Sequence, residues 1–399
     1  MSRAAAEVVI VGGGPAGLTA AIALASAGLE TALVAKPPAL PDHRTSALLQ
    51  GSVKALEMLG VWQHCRNHAA PLRLMRIVDD TGRLLRAPEV CFAASEIGLD
   101  AFGYNIENRF LMAALEARGQ ELSALTRIDD QAVAVSLADA QVTVRCRGSA
   151  ATSARLAIGA DGRHSLCRTA VGIDIRSRTY AQTALTFNLR HSREHHDTST
   201  EFHAERGPFT LVPLPQRRSS LVFVVDPAEV SVLSGLSDAK LAAEIERRSH
   251  SILGTIEVER GRGVFPLISA TATRFGTRRV ALIGEAAHVA APIGAQGLNL
   301  GLRDAATISE LVVAAHREGQ DVADTIDRYD RMRRADTATR MLAVDLLNRS
   351  LLSDFLPLQG ARAAGLFLIE RIAPLRRGIM REGVSPWASQ PRLMRGEEL

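Results

Sequence analysis

The chain is poor in lysine: three (Lys36, Lys54, Lys240) stand against 44 arginines in 399 residues. Aromatic residues make up only 4% of it. Proteins that grip single-stranded nucleic acid pair a basic groove with aromatic stacking platforms. No basic run here is interleaved with aromatics, so the formal charge of +4 does not point to nucleic acid as a partner. Cysteine is scarce too. Cys65, Cys91, Cys146 and Cys167 fall in no C-x-x-C or other metal-ligand spacing, which excludes a zinc ribbon and predicts reduced, mostly buried thiols. No uninterrupted apolar run reaches the roughly 18 residues of a membrane span. Residues 8–29 come nearest, but a triple glycine and a proline break them, without a basic n-region or a cleavage-site pattern. Internal repeats and low-complexity segments are also missing. What these absences leave is a cytoplasmic globular chain, 47% hydrophobic and long enough for two or three domains.

What is present concentrates first in residues 7–35, EVVIVGGGPAGLTAAIALASAGLETALVA. Residues 8–11 have the composition of a buried parallel strand. The strand breaks at Gly12-Gly13-Gly14-Pro15-Ala16-Gly17, a helix of small residues follows to Gly28, and a second strand covers 31–35. Gly12, Gly14 and Gly17 satisfy G-x-G-x-x-G where its mechanism requires it, after a strand and opening a helix. The first glycine makes the turn, the second admits a pyrophosphate to the backbone, and the third lets helix and strand pack closely. The helix N-terminus offers that pyrophosphate free N–H groups. An acidic residue usually ends the second strand and bonds ribose hydroxyls. Ala35 stands there instead, followed by Lys36.

Two later turns have a similar character. A strand over 154–159 runs into Ala160-Asp161-Gly162 and on to Arg168. Another over 279–284 is followed by Glu285-Ala286-Ala287-His288 and then Pro292-Ile293-Gly294-Ala295-Gln296-Gly297-Leu298-Asn299, ahead of a helix over 301–317. Glycines just before a helix aim backbone N–H groups at an anionic or carbonyl ligand. Arg44 precedes a helix over 51–59 and is a candidate phosphate ligand, since guanidinium matches phosphate geometry. Arg109 sits at the start of a helix over 108–117. His288, among small apolar residues, reads as structural. Residues 72–78 and 83–86 read as a hairpin, as do 132–137 and 142–145. From 183 to 264 the pattern turns to β-rich segments, 183–189, 200–203, 209–213 and 220–225, with one helix over 238–248. His191, His195, His196 and His203 are too loosely spaced for a metal and read as a solvated loop.

Three glycine-rich turns in this order resemble the single-component FAD aromatic hydroxylases, the group A flavoprotein monooxygenases that include p-hydroxybenzoate hydroxylase. The resemblance covers essentially the whole chain. Within the group the chain is most similar to the ubiquinone-biosynthesis hydroxylases, through Arg44-Thr45-Ser46-Ala47-Leu48, Glu107-Asn108-Arg109-Phe110-Leu111, Gly207-Pro208 to Pro213-Leu214-Pro215, Gln296-Gly297-Leu298-Asn299-Leu300-Gly301, and the tail from Arg340 to Arg377. It implies an α/β (α+β) fold. A Rossmann-like FAD-binding domain would take residues 1–180 and 271–338, an inserted, mainly antiparallel β-sheet substrate domain 181–270, and a helical tail 339–399.

The resemblance further implies that NADPH or NADH reduces FAD, that O₂ adds at flavin C4a, and that the hydroperoxide hydroxylates the ring of a polyprenyl phenol. The cofactor carries that chemistry while the protein orients it and excludes water, so no acid–base dyad is needed in the sequence. Carried over by position, Gly12, Gly14, Pro15, Ala16 and Gly17 would hold the pyrophosphate, with Ala35 and Lys36 beside the adenosine ribose. Arg44 and Arg109 would contact the ribityl–phosphate portion, and Asp161 both FAD and the nicotinamide cofactor. Gly284 and Glu285 would meet a ribityl hydroxyl, where the family pattern has aspartate after the glycine. Pro292, Gly294, Gly297, Leu298 and Asn299 would lie against the flavin ring, their N–H groups stabilising charge at its N1–C2 carbonyl region. No catalytic side chain and no metal are assigned.

The tail allows two readings. Apolar helical stretches over 342–356 and 363–372, flanked by Arg371, Arg376, Arg377 and Arg381, suit peripheral contact with the inner face of the cytoplasmic membrane. They equally suit a packing helix or a contact in a homo-oligomer. Other ubiquinone-biosynthesis proteins are expected partners. The alternatives are a FAD monooxygenase of a soluble aromatic substrate and, given Ala35, Lys36 and Glu285, a non-catalytic scaffold with weakened FAD binding.

Overall fold

The structure, a computed structural model, describes residues 6–37, 42–82, 88–204, 207–291, 294–352, 365, 367–369, 371–384 and 390–399. The opening unit is β1 (Ala6–Val11), α1 (Pro15–Ser26) and β2 (Thr31–Val34). Every residue of α1 from Gly17 to Ala25 is buried. A helix apolar on all sides has to be enclosed on all sides, and the sheet on one flank and a later helix on the other do so. β3 (Thr45–Leu49) leads into α2 (Gln50–Met58), and β3 pairs antiparallel with β4 (Gly103–Glu107).

Next comes β5 (Thr152–Gly159). The long β6 (Ile175–His191) follows, then β7 (Thr198–Ala204), β8 (Gly207–Leu214) and β9 (Arg218–Val225). β10 (Gly263–Ala272) returns the chain to β11 (Val280–Leu282) and α3 (Gln296–Arg317). Two helices follow, α4 (Ile326–Leu352) and α5 (Ala373–Val384), before a final helical turn at Arg392–Arg395.

In the first sheet β11, β5, β1 and β2 lie side by side and parallel. From β1 the chain moves to β2 on one flank, whereas β5 pairs on the other. That reversal is a topological switch point, and in open α/β sheets a ligand crevice lies at the carboxyl ends of such strands.

The second sheet runs β10–β6–β9–β8–β7 and ends in the hairpin Leu74–Asp79 with Val90–Ala93. The strand opposite Leu74–Asp79 is therefore Val90–Ala93; the expected partner, Arg83–Arg86, lies outside the described residues. β6 runs through residue 180 as one strand: its first part pairs β10, and from Thr183 it pairs both β10 and β9, the β10 register shifting between Thr179 and Thr183. Alternation gives this sheet two faces. Leu185, Phe187, Phe209, Leu211, Leu221 and Phe223 form one, packed beneath the helix Asp238–Arg248 through Leu241 and Ile245. Ala184, Thr186, Asn188, Thr210, Val212, Ser220, Val222 and Val224 form the other, in register across β6, β9 and β8. This second face turns toward β3 and β4. Thr45 Oγ1 donates to Ser220 Oγ (2.9 Å), Asn105 Nδ2 to the Pro213 carbonyl (2.9 Å) and Asn188 Nδ2 to the His43 carbonyl (3.3 Å).

α3 begins at Gln296, five residues before the expected 301. Gly297, Asn299 and Gly301 are weak helix formers, so local propensity hides this first turn. Tertiary hydrogen bonds made by Asn299 hold it.

Candidate functional site

The three glycine-rich turns leave from the carboxyl ends of adjacent parallel strands. Val11 is in register with Gly159, and Gly159 with Leu282. The ladder continues one step beyond the strands, with Ala160 N donating to the Val11 carbonyl (2.7 Å) and Ile283 N to that of Gly159 (2.9 Å). Gly12, Asp161 and Gly284 thus come together at the switch point, although about 270 residues separate the first from the last.

The packing accounts for the small residues. Gly12 has φ +113°, and a Cβ there would lie 2.2 Å from the Ala160 carbonyl oxygen. A Cβ on Gly17 would lie 2.0 Å from the Gly12 carbonyl oxygen. Added methyls at Gly284 and Gly301 would come within 3.3 and 3.4 Å of the Ala16 methyl, so α1, the Gly284 turn and α3 meet where nothing larger fits. Gly14 is different: a Cβ there meets nothing within 4 Å, and the same holds for Gly294 and Gly297. These three bare backbone stretches line open space, one at the start of α1 and two at the start of α3.

Both helix starts are electrostatically vacant. α1 and α3 have no side-chain cap and no acidic residue in the first turn. Their unpaired N–H groups and partial positive charge remain available to an anion. Asp161 adds a polar group in waiting. Its Oδ2 accepts from Cys167 N (3.0 Å), while its buried Oδ1 has no hydrogen-bond partner. Bare glycines at two helix starts and an orphaned carboxylate oxygen on the turn after β5 fit a group such as FAD.

Of the other sequence-derived residues, Ala35 is buried at the end of β2, next to exposed Lys36 and facing Gly13, whose added Cβ would lie 2.6 Å from the Ala35 Cβ. Arg44 is held by Asp42, which accepts its Nε and Nη2 (2.7 Å at the shortest), and stands over the Phe265 ring. Burial alone would raise the Asp42 carboxyl, but hydrogen bonds from Arg44 and Asn108 bring it down to about 2. Arg109 pairs with buried Glu107 (3.0 Å) and covers Phe110. Both arginines are therefore already paired with a carboxylate. Glu285 is half-exposed, 3.7 Å from Arg163. Leu298 packs against the core, and Pro292 lies outside the described residues.

Asn299 acts as a bolt. Its Oδ1 accepts from Leu49 N (2.9 Å) and Ser52 Oγ (2.7 Å), while its Nδ2 donates to the carbonyls of Ala47 (2.8 Å) and Ala295 (2.6 Å). With all four bonds used inside the protein, Asn299 can meet a ring only through its backbone.

Several residues here carry no signal in the sequence. Asp304, fully buried on α3, accepts from Gly284 N (3.0 Å), from Arg333 Nε on α4 (2.7 Å), and pairs with His288 Nε2 (2.6 Å). Arg333 reaches on to Asp336. Arg168 donates to the carbonyls of Ala286 (2.9 Å) and Arg163 (2.8 Å), clamping the second turn to the third. The histidines at 191 and 203 bond separately, the first to Ser219 and the Arg193 carbonyl, the second to Glu201.

Replacing Glu285 with aspartate withdraws its carboxylate by about 1.5 Å. FAD is expected to bind several-fold more tightly to Glu285→Asp in a fluorescence titration of deflavinated protein. Unchanged or weaker binding would mean that the extra methylene of Glu285 does not weaken FAD binding.

Comparison with known proteins agrees with this geometry. Residues 5–344 match the FAD binding domain family. The chain is 35% identical to the ubiquinone hydroxylase UbiL of Rhodospirillum rubrum over 99% of its own length and 94% of the relative's. It is 31% identical to the 3-demethoxyubiquinol 3-hydroxylase of Escherichia coli, over 94% and 98% of the two chains. The crystal structure of the p-nitrophenol 4-monooxygenase PnpA of Pseudomonas putida shares the fold, with a TM-score of 0.79 at 20% identity over 96% and 98% of the chains.

Proposed function

The chain belongs to the FAD binding domain family, as an FAD-dependent aromatic-ring monooxygenase that draws electrons from NADPH or NADH, and we propose that it hydroxylates the ring of a polyprenyl phenol in ubiquinone biosynthesis. The observation that carries this choice is near full-length similarity, above 30% identity, to two proteins named for that pathway. The second sheet supports it. Its cofactor-side face offers Ala184, Thr186, Thr210, Val212, Val222 and Val224, with no charge among them. The cations at the end of that face are occupied: Glu259 takes Arg190 and Arg218, and Arg218 also bonds Glu107. A neutral, apolar phenol suits such a face better than an aromatic acid, whose carboxylate would be desolvated without a partner.

Bound FAD supplies electron transfer from the nicotinamide and activation of O₂. The chain's own part is to bind, orient and shield. The N–H groups opening α1 would hold the pyrophosphate, with Arg44 and Arg109 flanking it. Those opening α3 would face the ring at Gly297 and Leu298, where preorganised donors stabilise developing negative charge. Asp161 Oδ1 would accept from a cofactor hydroxyl, and the uncharged sheet face would cover the ring.

The test is a gene deletion with quinone profiling. Loss of ubiquinone with an accumulated prenyl phenol is expected, and restoration by the wild-type gene but not by Gly14→Val ties the defect to this site. Normal ubiquinone in a strain without a redundant hydroxylase would overturn the substrate assignment. The scaffold reading predicts a colourless protein that gains no 450 nm absorbance with FAD.

For the tail we propose peripheral contact with an anionic lipid surface. No helix among the described residues is long and apolar enough to cross a membrane. α5 packs through Arg376, bound to Glu96 and set over Phe92, and through buried Met380 and Val384. That leaves Leu368, Ile372, Leu375 and Ile379 as an exposed stripe, with exposed Arg371, Arg377 and Arg381 beside it. Deleting the tail would also remove Leu393 and Met394 from the core, so substitution is the cleaner probe. Leu368→Glu with Ile379→Glu should abolish sedimentation with phosphatidylglycerol vesicles, and salt should weaken the wild-type interaction. Unaltered sedimentation would remove this reading. A stripe that covers a second copy would show instead as a dimer lost in the variant.

A further inference from the structure

Beside the first turns of α3 lies a small cavity walled by α2, α3, α4, α5 and the final helical turn. Its free volume is about 10 Å³, room for one water-sized species. Leu300, Val384 and Met394, themselves buried, close its apolar side. Its polar side chains are those of Ser52, Gln296, Asn299, Arg303 and Arg340.

Arg303 is the unusual member. Only 8% of it is exposed, yet among the described residues its guanidinium makes no hydrogen bond, and its one ionic neighbour, Asp336, stands 3.7 Å away. Asp336 is engaged more closely by Arg333 and by Arg340 Nε (3.1 Å). Asp304 is taken by Arg333 Nε (2.7 Å) and His288. Three guanidiniums thus share two carboxylates in a water-poor interior, which leaves one positive charge in excess. Burying a cation without a close partner is costly. Burial pulls the Arg303 guanidinium down to about 10, so it still carries its charge at neutral pH.

The lining selects what fills the space. Arginine only donates hydrogen bonds, so Arg303, and Arg340 beyond its Nε, call for an acceptor. The Ser52 hydroxyl donates to Asn299 Oδ1 (2.7 Å), and the Asn299 side chain is fully used inside the protein. A water would accept from a guanidinium but leave the excess charge standing. A carboxylate or phosphate would answer the charge but exceeds the room. An anion of one atom meets both conditions. We propose that Arg303 and Arg340 hold a single halide ion in this cavity. The ion ties α3 to α4 through the two guanidiniums. It also lies beside Ser52, and so strengthens the joint where α2 meets the first turns of α3. The claim is independent of where the flavin lies and of which phenol is hydroxylated.

The probe is sodium chloride, titrated into holoenzyme, with sodium acetate, too large for the space, holding the ionic strength fixed. Tm should rise as chloride replaces acetate, by mass action on the folded state. Arg303→Met should need at least about tenfold more chloride for the same rise, the loss of one charge-assisted hydrogen bond. Arg340→Gln, which leaves Arg303 in place, should weaken the response as well, and it tests the site should Arg303→Met fold poorly. In crystals grown with sodium bromide, anomalous scattering should locate an ion within hydrogen-bond reach of both guanidiniums. A Tm that responds alike to chloride and acetate would overturn the proposal. So would an equal chloride response in wild type and both variants, or crystals with no bromide between Arg303 and Arg340. A halide seated at the flavin ring instead would shift the flavin spectrum and be indifferent to Arg303, which also counts against the site.

Discussion

Gly14→Val should yield a folded, colourless protein with FAD affinity lowered by about 100-fold or more. The expectation has two parts. Gly14 has φ −73° and ψ 174°, ordinary extended backbone that valine adopts readily, and the space a Cβ would enter is empty. The chain therefore has no reason to misfold. The pyrophosphate does have a reason to leave, because the branched side chain occupies the approach to the N–H groups at the start of α1. Charge-assisted hydrogen bonds contribute about 1.5–3 kcal/mol each, so losing one or two produces that drop. Gly17→Ala is the contrasting case. Its Cβ would lie 2.0 Å from the Gly12 carbonyl oxygen, so helix and turn must separate, and loss of soluble protein is expected. Measured together by 450 nm absorbance and thermal unfolding, the two variants separate the binding glycine from the packing glycine. A normally yellow Gly14→Val protein would refute the cofactor placement.

Why these glycines were legible and other site residues were not follows from the physics of each. A turn that needs φ +113° or a Cβ-free approach admits essentially one residue, so Gly12, Gly14 and Gly17 announce themselves by type and spacing. The β-rich character of 183–189, 209–213 and 220–225 is equally plain, since one face of that sheet is wholly apolar. Asp304 was not, because a lone aspartate in a helical pattern looks like a solvated face. Its partner Arg333 is one arginine among 44. Asp42, which occupies Arg44, is equally silent. Asn299 is read from the sequence as a ring contact through its backbone, and the four bonds of its side chain are visible only where β3 and α3 meet. Helix propensity likewise missed the first turn of α3, whose stability comes from those bonds.

Asp304→Asn should destabilise the protein by about 3–5 kcal/mol, the usual cost of removing one partner of a buried ion pair. Asp304 is fully buried and holds three groups from three parts of the fold: the Gly284 N–H, His288 and Arg333. Burial by itself would raise its carboxyl, but His288 and Arg333 together hold it below the usual carboxylate range. A folded-state value depressed in this way contributes stability above the ordinary carboxylate pKa near 4, lost as pH falls through the lower folded value. Acid unfolding of the wild type should therefore steepen below pH 4, and Asp304→Asn should flatten that limb while lowering stability at pH 7. The amide leaves Arg333 facing only Asp336, with the buried Nη2 still unpartnered. The double variant Asp304→Asn/Arg333→Met takes that stranded cation away and should regain about 1–3 kcal/mol, the coupling expected of contacting charges. FAD affinity should fall in both variants, since Gly284 loses the carboxylate that sets its turn at the switch point. A single variant within about 0.5 kcal/mol of wild type would mean that the buried cluster is indifferent to its central charge. The Gly284 turn would then owe its position to the close packing of Ala16, Gly284 and Gly301 alone.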